Sequence, residues 1–462
     1  MLQDQRGLAV TAAGAPAVDA LDATVAAYCG LRSDTGDRLK AALAADPDFV
    51  MAHILRGYFM MLFGKRPFLA RALQSLEAAE AAVQKVGANP RERLHLAALR
   101  DWTRGDTRAA TQRWEAILLD HPRDLAAVKL AQYHIFYTGD SEGMRDSLGR
   151  ILYAWDEGVP GYGFVLGCYA FGLEEAGDYA AAERAGRRAA ELNPADVWAA
   201  HAVAHVLEMQ GRPREGIAWV GGLDREWGAI NNFVFHIRWH RCLFHLELQE
   251  YDRVLELYDR EVRAESTDEY LDITNGVAML WRLEEAGVDV GQRWHELAER
   301  SAVRGEDHMM VFADLHYPIA LAAAGGAGAA EQWLQSSRRF AASAKEEQAR
   351  VMAEIGLALG EAAIAYRSGA FARVVELLLP LRSAIRTIGG SHAQRDLFQQ
   401  MLIDAALKDG RFVLARALLS ERTHLRPRNA WGWLHYAKAA EALDDAGAAL
   451  AARAEAKRLL AA

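Results

Sequence analysis

The stretch GFVLGCYAFGLEEAGDYAAAERAGRRAAELNP, residues 163–194, decides how the rest of the chain is read. Apolar and small residues recur every three or four positions up to Glu175, break at Gly177, resume at Tyr179 and stop at Pro194. That is the pattern of two amphipathic helices joined by a tight turn. Gly177 supplies the left-handed residue that ends the first helix, Ala182 lets the two helices approach, and Pro194 closes the second. VWAAHAVAHVLEMQGRPREGIAWV (197–220) then starts the same pattern again.

Working outward, glycine turns recur at Gly105-Asp106, Gly139-Asp140, Gly211-Arg212, Gly369-Ala370 and Gly410-Arg411. Proline breaks at Pro47, Pro90, Pro122, Pro160 and Pro194 are spaced by 43, 32, 38 and 34 residues. A helical period of this size with a glycine turn midway describes stacked hairpins of the tetratricopeptide type. The expected fold is all-α: an α-α superhelix, a right-handed solenoid of about twelve such hairpins. Residues 1–16 read as an N-terminal arm and 17–462 as one solenoid, regular over 17–222, divergent over the central hairpins 223–345, and regular again over 346–462.

Composition removes several functional classes. Fifty-three Lys and Arg against 62 Asp and Glu leave a net charge of −9 with no basic block, so no nucleic-acid partner is expected. The N-terminus lacks a signal-peptide pattern and no long apolar run follows, so no membrane is expected either. Three isolated cysteines, Cys29, Cys168 and Cys242, fit a reducing, cytoplasmic setting. The sequence assigns no oligomeric state.

The surplus that remains is 15 His and 12 Trp. On the hairpin rhythm, every histidine except His121, His295 and His424 falls on the first helix of a pair. In HAVAHVLE, His201, His205 and Glu208 share one helical face. In FVFHIRWH, His236 and His240 repeat the spacing on the next first helix, beside Trp239. An i, i+4 histidine pair is a ready clamp for a divalent metal. The same rings could instead bind a ligand by hydrogen bonds, or fill helix contacts. The reading carried forward has no cofactor, with a divalent metal on His201, His205, His236 and His240 as the alternative.

Two further constellations stand out. In GGSHAQRD (389–396), Ser391 and Gln394 form a capping box that starts a helix at His392, and the free N–H groups beside Arg395 make a receptor for a carboxylate or phosphate. His392, Arg395 and Asp396 share its first turns. In VFADLHYPIAL (311–321), Asp314 and His316 diverge around the helix, and Pro318 is expected to bend it. No nucleophile elbow, P-loop or dinucleotide fingerprint is present.

The chain resembles the tetratricopeptide repeat protein 38 family in HAVAHVLEMQGR (201–212), NNFVFHIRWHRCLFHLE (231–247), VGQRW (290–294), FADLHYPIAL (312–321) and GGSHAQRD (389–396). The resemblance implies an all-α solenoid, and the repeat class implies that first helices line the concave surface. The function expected is therefore an inner pocket for a small anionic metabolite. Catalytic candidates are His201, His205, His240, Asp314 and His316; binding candidates are His236, Glu208, His392, Arg395, Asp396 and Trp239. If the chain is an enzyme, it is a hydrolase or lyase using His and Asp as acid and base, with metal assistance as an option. The alternative is a non-enzymatic scaffold that grips a partner peptide in its concave groove, with Lys129 as the one obvious carboxylate-clamp residue.

Overall fold

A computed structural model of the chain describes residues 2–461. Helices follow one another in pairs, from Ala15–Cys29 with Thr35–Ala45 to Ala430–Ala442 with Ala446–Ala461, giving twelve hairpins. The all-α superhelix of helical hairpins read from the sequence is the fold observed. Among the described residues the only strands are Leu2–Gln3 and Ala9–Val10, which pair antiparallel. They fold back on the first hairpin, where Arg6 reaches Asp22 at 2.8 Å and Val10 is buried.

The Gly-Asp turns show why the sequence breaks where it does. Gly105, Gly139 and Gly177 adopt φ of 77°, 70° and 87°, the left-handed conformation that ends a helix without a Cβ penalty. The aspartate that follows each of them caps the next helix, accepting from the backbone of Ala109, Gly143 and Ala181 respectively. One dipeptide thus stops a helix and starts its partner.

Two details of the central hairpins differ from expectation. His308 lies in a loop with φ of 46°, ahead of Val311–Asp314, and not on a first helix. Pro318 does not bend a continuous helix. The chain breaks after Asp314, and Pro318 is the second residue of a new helix, Tyr317–Ala323, where its missing N–H has no partner to lose.

The superhelix closes on itself. Hairpins two to seven rest on hairpins eight to twelve, one superhelical turn later. Lys65 meets Asp268 at 2.6 Å, and Arg66 meets Glu346 at 2.7 Å. The Gly105 carbonyl accepts from the Glu347 N–H at 3.0 Å, and the Asn429 side chain donates to Glu247 at 2.7 Å. Between these contacts, glycines let backbones touch: a Cβ at Gly139 would lie 1.9 Å from the Arg386 carbonyl oxygen.

This closure explains an asymmetry of burial. First helices such as Val197–Met209 and Tyr270–Glu285 are buried almost all round, because they face the next superhelical turn as well as their own neighbours. Second helices such as Tyr179–Leu192 bury one face only, the ordinary amphipathic arrangement.

Gly139→Ala tests the closure against Gly177→Ala, since nothing lies within 4 Å of a Cβ at Gly177. The Gly177 variant should lose only the left-handed strain, about 1–2 kcal/mol. Gly139→Ala should lose at least about 2 kcal/mol more, because two backbones must separate. Urea unfolding of both proteins makes the comparison, and equal losses would mean that the seam contributes nothing.

Candidate functional site

Helix Val197–Met209 is capped by Asp196, which accepts from the Trp198 and Ala199 N–H groups. Small residues at 199, 200, 202 and 204 let neighbouring helices pack closely, so His201 and His205 are carried into the interior opposite His236 and His240 of Phe233–Glu247. The four rings are at most 3% exposed. His201 Nε2 lies 3.0 Å from His205 Nε2 and 3.1 Å from His236 Nε2. One ring nitrogen from each of the four lies within 4.8 Å of those of the others. These are the residues that could hold a metal. Phe171, Trp198, Phe233 and Trp239 wall the cluster, Trp239 stacked on His236 at 5.4 Å.

The outer nitrogens are addressed separately. His236 Nδ1 lies 2.9 Å from Asn275 Oδ1, His240 Nδ1 lies 3.1 Å from Glu208 Oε2, and His205 Nδ1 lies 3.6 Å from Glu174 Oε2. The Asn275 and Glu208 oxygens accept from the Nδ1–H groups of His236 and His240, a tautomer that leaves each Nε2 lone pair facing inward, whereas His205 Nδ1 is too far from Glu174 for a hydrogen bond. Burial, reinforced by the neighbouring rings, pushes His201, His205 and His236 well below the usual imidazole range. These three rings are therefore neutral near pH 7. Neither oxygen of the buried Glu174 carboxyl has a hydrogen-bond partner among the described residues, and burial next to Glu175 raises its affinity for a proton strongly.

The other expected site residues lie elsewhere or have internal partners. The helix that starts at His392 has the capping box read from the sequence. Its N-terminus meets an anion from its own chain: the His392 N–H donates to Glu175 Oε1 at 3.0 Å, and Arg395 approaches Glu175 Oε2 at 3.4 Å. Asp396 takes both N–H arms of Arg422, at 2.6 and 2.8 Å. Against the upward push of burial, Arg422 and Arg426 hold its carboxyl well below the usual range. Asp314 and His316 do not meet. Asp314 pairs with His308 at 3.3 Å, while His316 donates to the Phe312 carbonyl at 2.9 Å and is pushed down to about 4 by burial. Lys129 lies 3.9 Å over the Trp198 ring, part of the wall and not of an open clamp.

A cavity of about 330 Å³ opens on the far side of Glu208. It is lined by Glu208, Glu247 and Glu285 from three consecutive first helices, by Arg282, and by Asp396, Arg422 and Arg426 from the next superhelical turn. None of the four clustered histidines, nor Asp314 or His316, lines it. Glu208 does, and so belongs to both places.

Of the glutamates that end first helices, only Glu208 was named from the sequence. Four consecutive first helices end in one: Glu175, Glu208, Glu247 and Glu285. A carboxylate at a helix C-terminus opposes the macrodipole, so the recurrence was a legible signal. Each one has a compensating donor: the His392 N–H for Glu175, His240 for Glu208, the Ala430 N–H at 2.6 Å for Glu247, and Trp431 with His435 for Glu285.

No protein-family profile matches the chain. The human IFIT1 dimer with PPP-AAAA is 15% identical and covers 89% of this chain and 91% of its own, with a TM-score of 0.41. The same protein with m7Gppp-AAAA covers 96% of this chain and 94% of its own, with 15% identity and a TM-score of 0.40. The tetratricopeptide domain of P58(IPK) is 13% identical and covers 80% of this chain and 98% of its own, with a TM-score of 0.22.

Asp196 gives the site a pH dependence. Burial pushes its carboxyl up to about 6 from the ordinary 3.8, so the folded state holds the proton more tightly than the unfolded chain. That contribution is complete below the ordinary value and is lost as pH rises through 6. Asp196→Asn keeps a capping oxygen but does not titrate. Its stability relative to the parent should rise between pH 4 and pH 7 by up to about 3 kcal/mol. Urea unfolding at both pH values measures this, and a constant difference would refute the assignment.

Proposed function

We propose that this chain is a ligand-binding solenoid of the tetratricopeptide repeat protein 38 type, whose cavity takes a small carboxylate-bearing metabolite. The observation that carries the reading is the lining. Arg422 is committed to Asp396, and Arg282 donates to the Ala278 and Ala393 carbonyls at 3.0 Å. Arg426 has weaker company: Met209 Sδ at 2.9 Å and Asp396 at 3.6 Å. A guanidinium with five N–H groups so placed retains donors for a ligand carboxylate. Glu208 and Glu247 on the opposite wall suit an ammonium or hydroxyl on the same molecule, so an amino-acid-like ligand fits both sides. Burial pushes the Glu247 carboxyl up to about 7, which lets it donate as well as accept near neutral pH. The volume lies at the small end of the range for small-molecule sites.

The reading keeps the expected anionic ligand but moves its site from the imidazoles to the arginine wall. It assigns no acid-base step to His201, His205 or His240, because a ligand in the cavity does not touch them. The closed seam also favours a compact ligand over an extended peptide, which needs an open groove.

Native mass spectrometry of the purified chain should reveal a small co-purifying molecule. A thermal-shift panel of amino acids and dicarboxylates should raise the melting temperature for some of its members. Arg426→Ala should keep the ligand-free melting temperature within a few degrees and lose at least tenfold in affinity. Undiminished binding by that variant, or no shift by any member with the parent protein, would overturn the reading.

A further inference from the structure

We propose that His201, His205, His236 and His240 bind one divalent transition ion through their Nε2 atoms, and that this ion fastens the sixth hairpin to the seventh. The inference does not rest on the cavity or its ligand.

Four nitrogens held at 2.0–2.1 Å in a tetrahedron around one zinc-like ion lie roughly 3.3–3.4 Å from each other, within a few tenths of an ångström of what the cluster shows. The two close Nε2 separations here are 3.0 and 3.1 Å. The rings come from two adjacent helices as two i, i+4 pairs, which sets four donors around one point without distortion of either helix.

If the outer Nδ1 atoms of His236 and His240 donate to Asn275 and Glu208, their inner Nε2 atoms carry lone pairs. His201 can then supply one inward N–H at most, although it has two close inner neighbours. His240 Nε2 has no hydrogen-bond partner among the described residues. Leaving buried acceptors facing one another costs about 1–3 kcal/mol for each unsatisfied group. A hydrogen-bonded ring of these imidazoles leaves His240 Nε2 unpaired, whereas one cation accepts all four inward lone pairs.

Histidines that ligate metals are oriented by an acceptor on the remote nitrogen, and two of the four have one, the Asn275 carboxamide and the Glu208 carboxylate.

An all-imidazole shell selects zinc, cobalt, nickel or copper over magnesium or calcium, which take oxygen ligands. The rings are buried and the cavity lies beyond Glu208, so no position is open to substrate. The site is of the closed, structural kind.

The test uses the full chain expressed in zinc-supplemented medium without chelator. Elemental analysis should find about one equivalent of a transition metal. Chelation should lower the melting temperature, and Co(II) added to the stripped protein should restore it and give the intense visible bands of low-coordinate cobalt. His236→Gln/His240→Gln should lose both the bands and the metal-dependent shift, while His316→Gln should keep them. Asn275→Ala leaves every ligand in place and should weaken Co(II) binding by 10- to 100-fold, so it decides the matter if the double variant fails to fold. Absence of metal together with absence of Co(II) bands, or unchanged Co(II) affinity in Asn275→Ala, would overturn the proposal.

Discussion

The structure depends on carboxylates at the ends of inner helices meeting helix N-termini one superhelical turn later. Glu175 accepts from the first N–H of His392–Lys408, and Glu247 does the same at Ala430–Ala442. Each contact satisfies two groups that would otherwise be costly: an acid at the negative end of a helix dipole and free N–H groups at a positive end. A tetratricopeptide-like stack needs only contacts between neighbours. Here the second turn is bound to the first, and the inner layer becomes a core instead of a lining.

That change decides what inner residues can do. A histidine on the concave face of an open solenoid is solvated and can meet a ligand. The same histidine beneath a second superhelical turn is desolvated, neutral and obliged to find partners. His134 and His316 show the plain outcome, with burial driving them down to about 3 and about 4. His201, His205, His236 and His240 show the other outcome, a group of imidazoles that have mainly each other.

The hairpin rhythm was legible because helix punctuation is local. Gly177-Asp178 stops one helix and caps the next whatever packs around it, so the number and class of hairpins follow from spacing. The i, i+4 histidine pairs were legible for the same reason, and so was the Ser391 capping box. What occupies the box was not. Glu175 is 217 residues from His392, and no periodicity links them. Lys129 and Trp239 illustrate the remaining gap: their helix positions were readable, but seam closure turned a candidate clamp and a candidate ligand platform into parts of the wall.

Glu208 is where the two halves of the interior meet. Its carboxylate holds His240 Nδ1 on one side and borders the cavity on the other. A cation bound in the cavity would compete with His240 for that carboxylate, and an anion held by Arg426 would leave it with the imidazole. In a medium of low polarity such a shared group transmits charge over short distances with little screening. The placement of one glutamate, three residues ahead of a turn glycine, thus sets the imidazole cluster and the cavity on two sides of the same carboxylate without any of the four histidines entering the cavity.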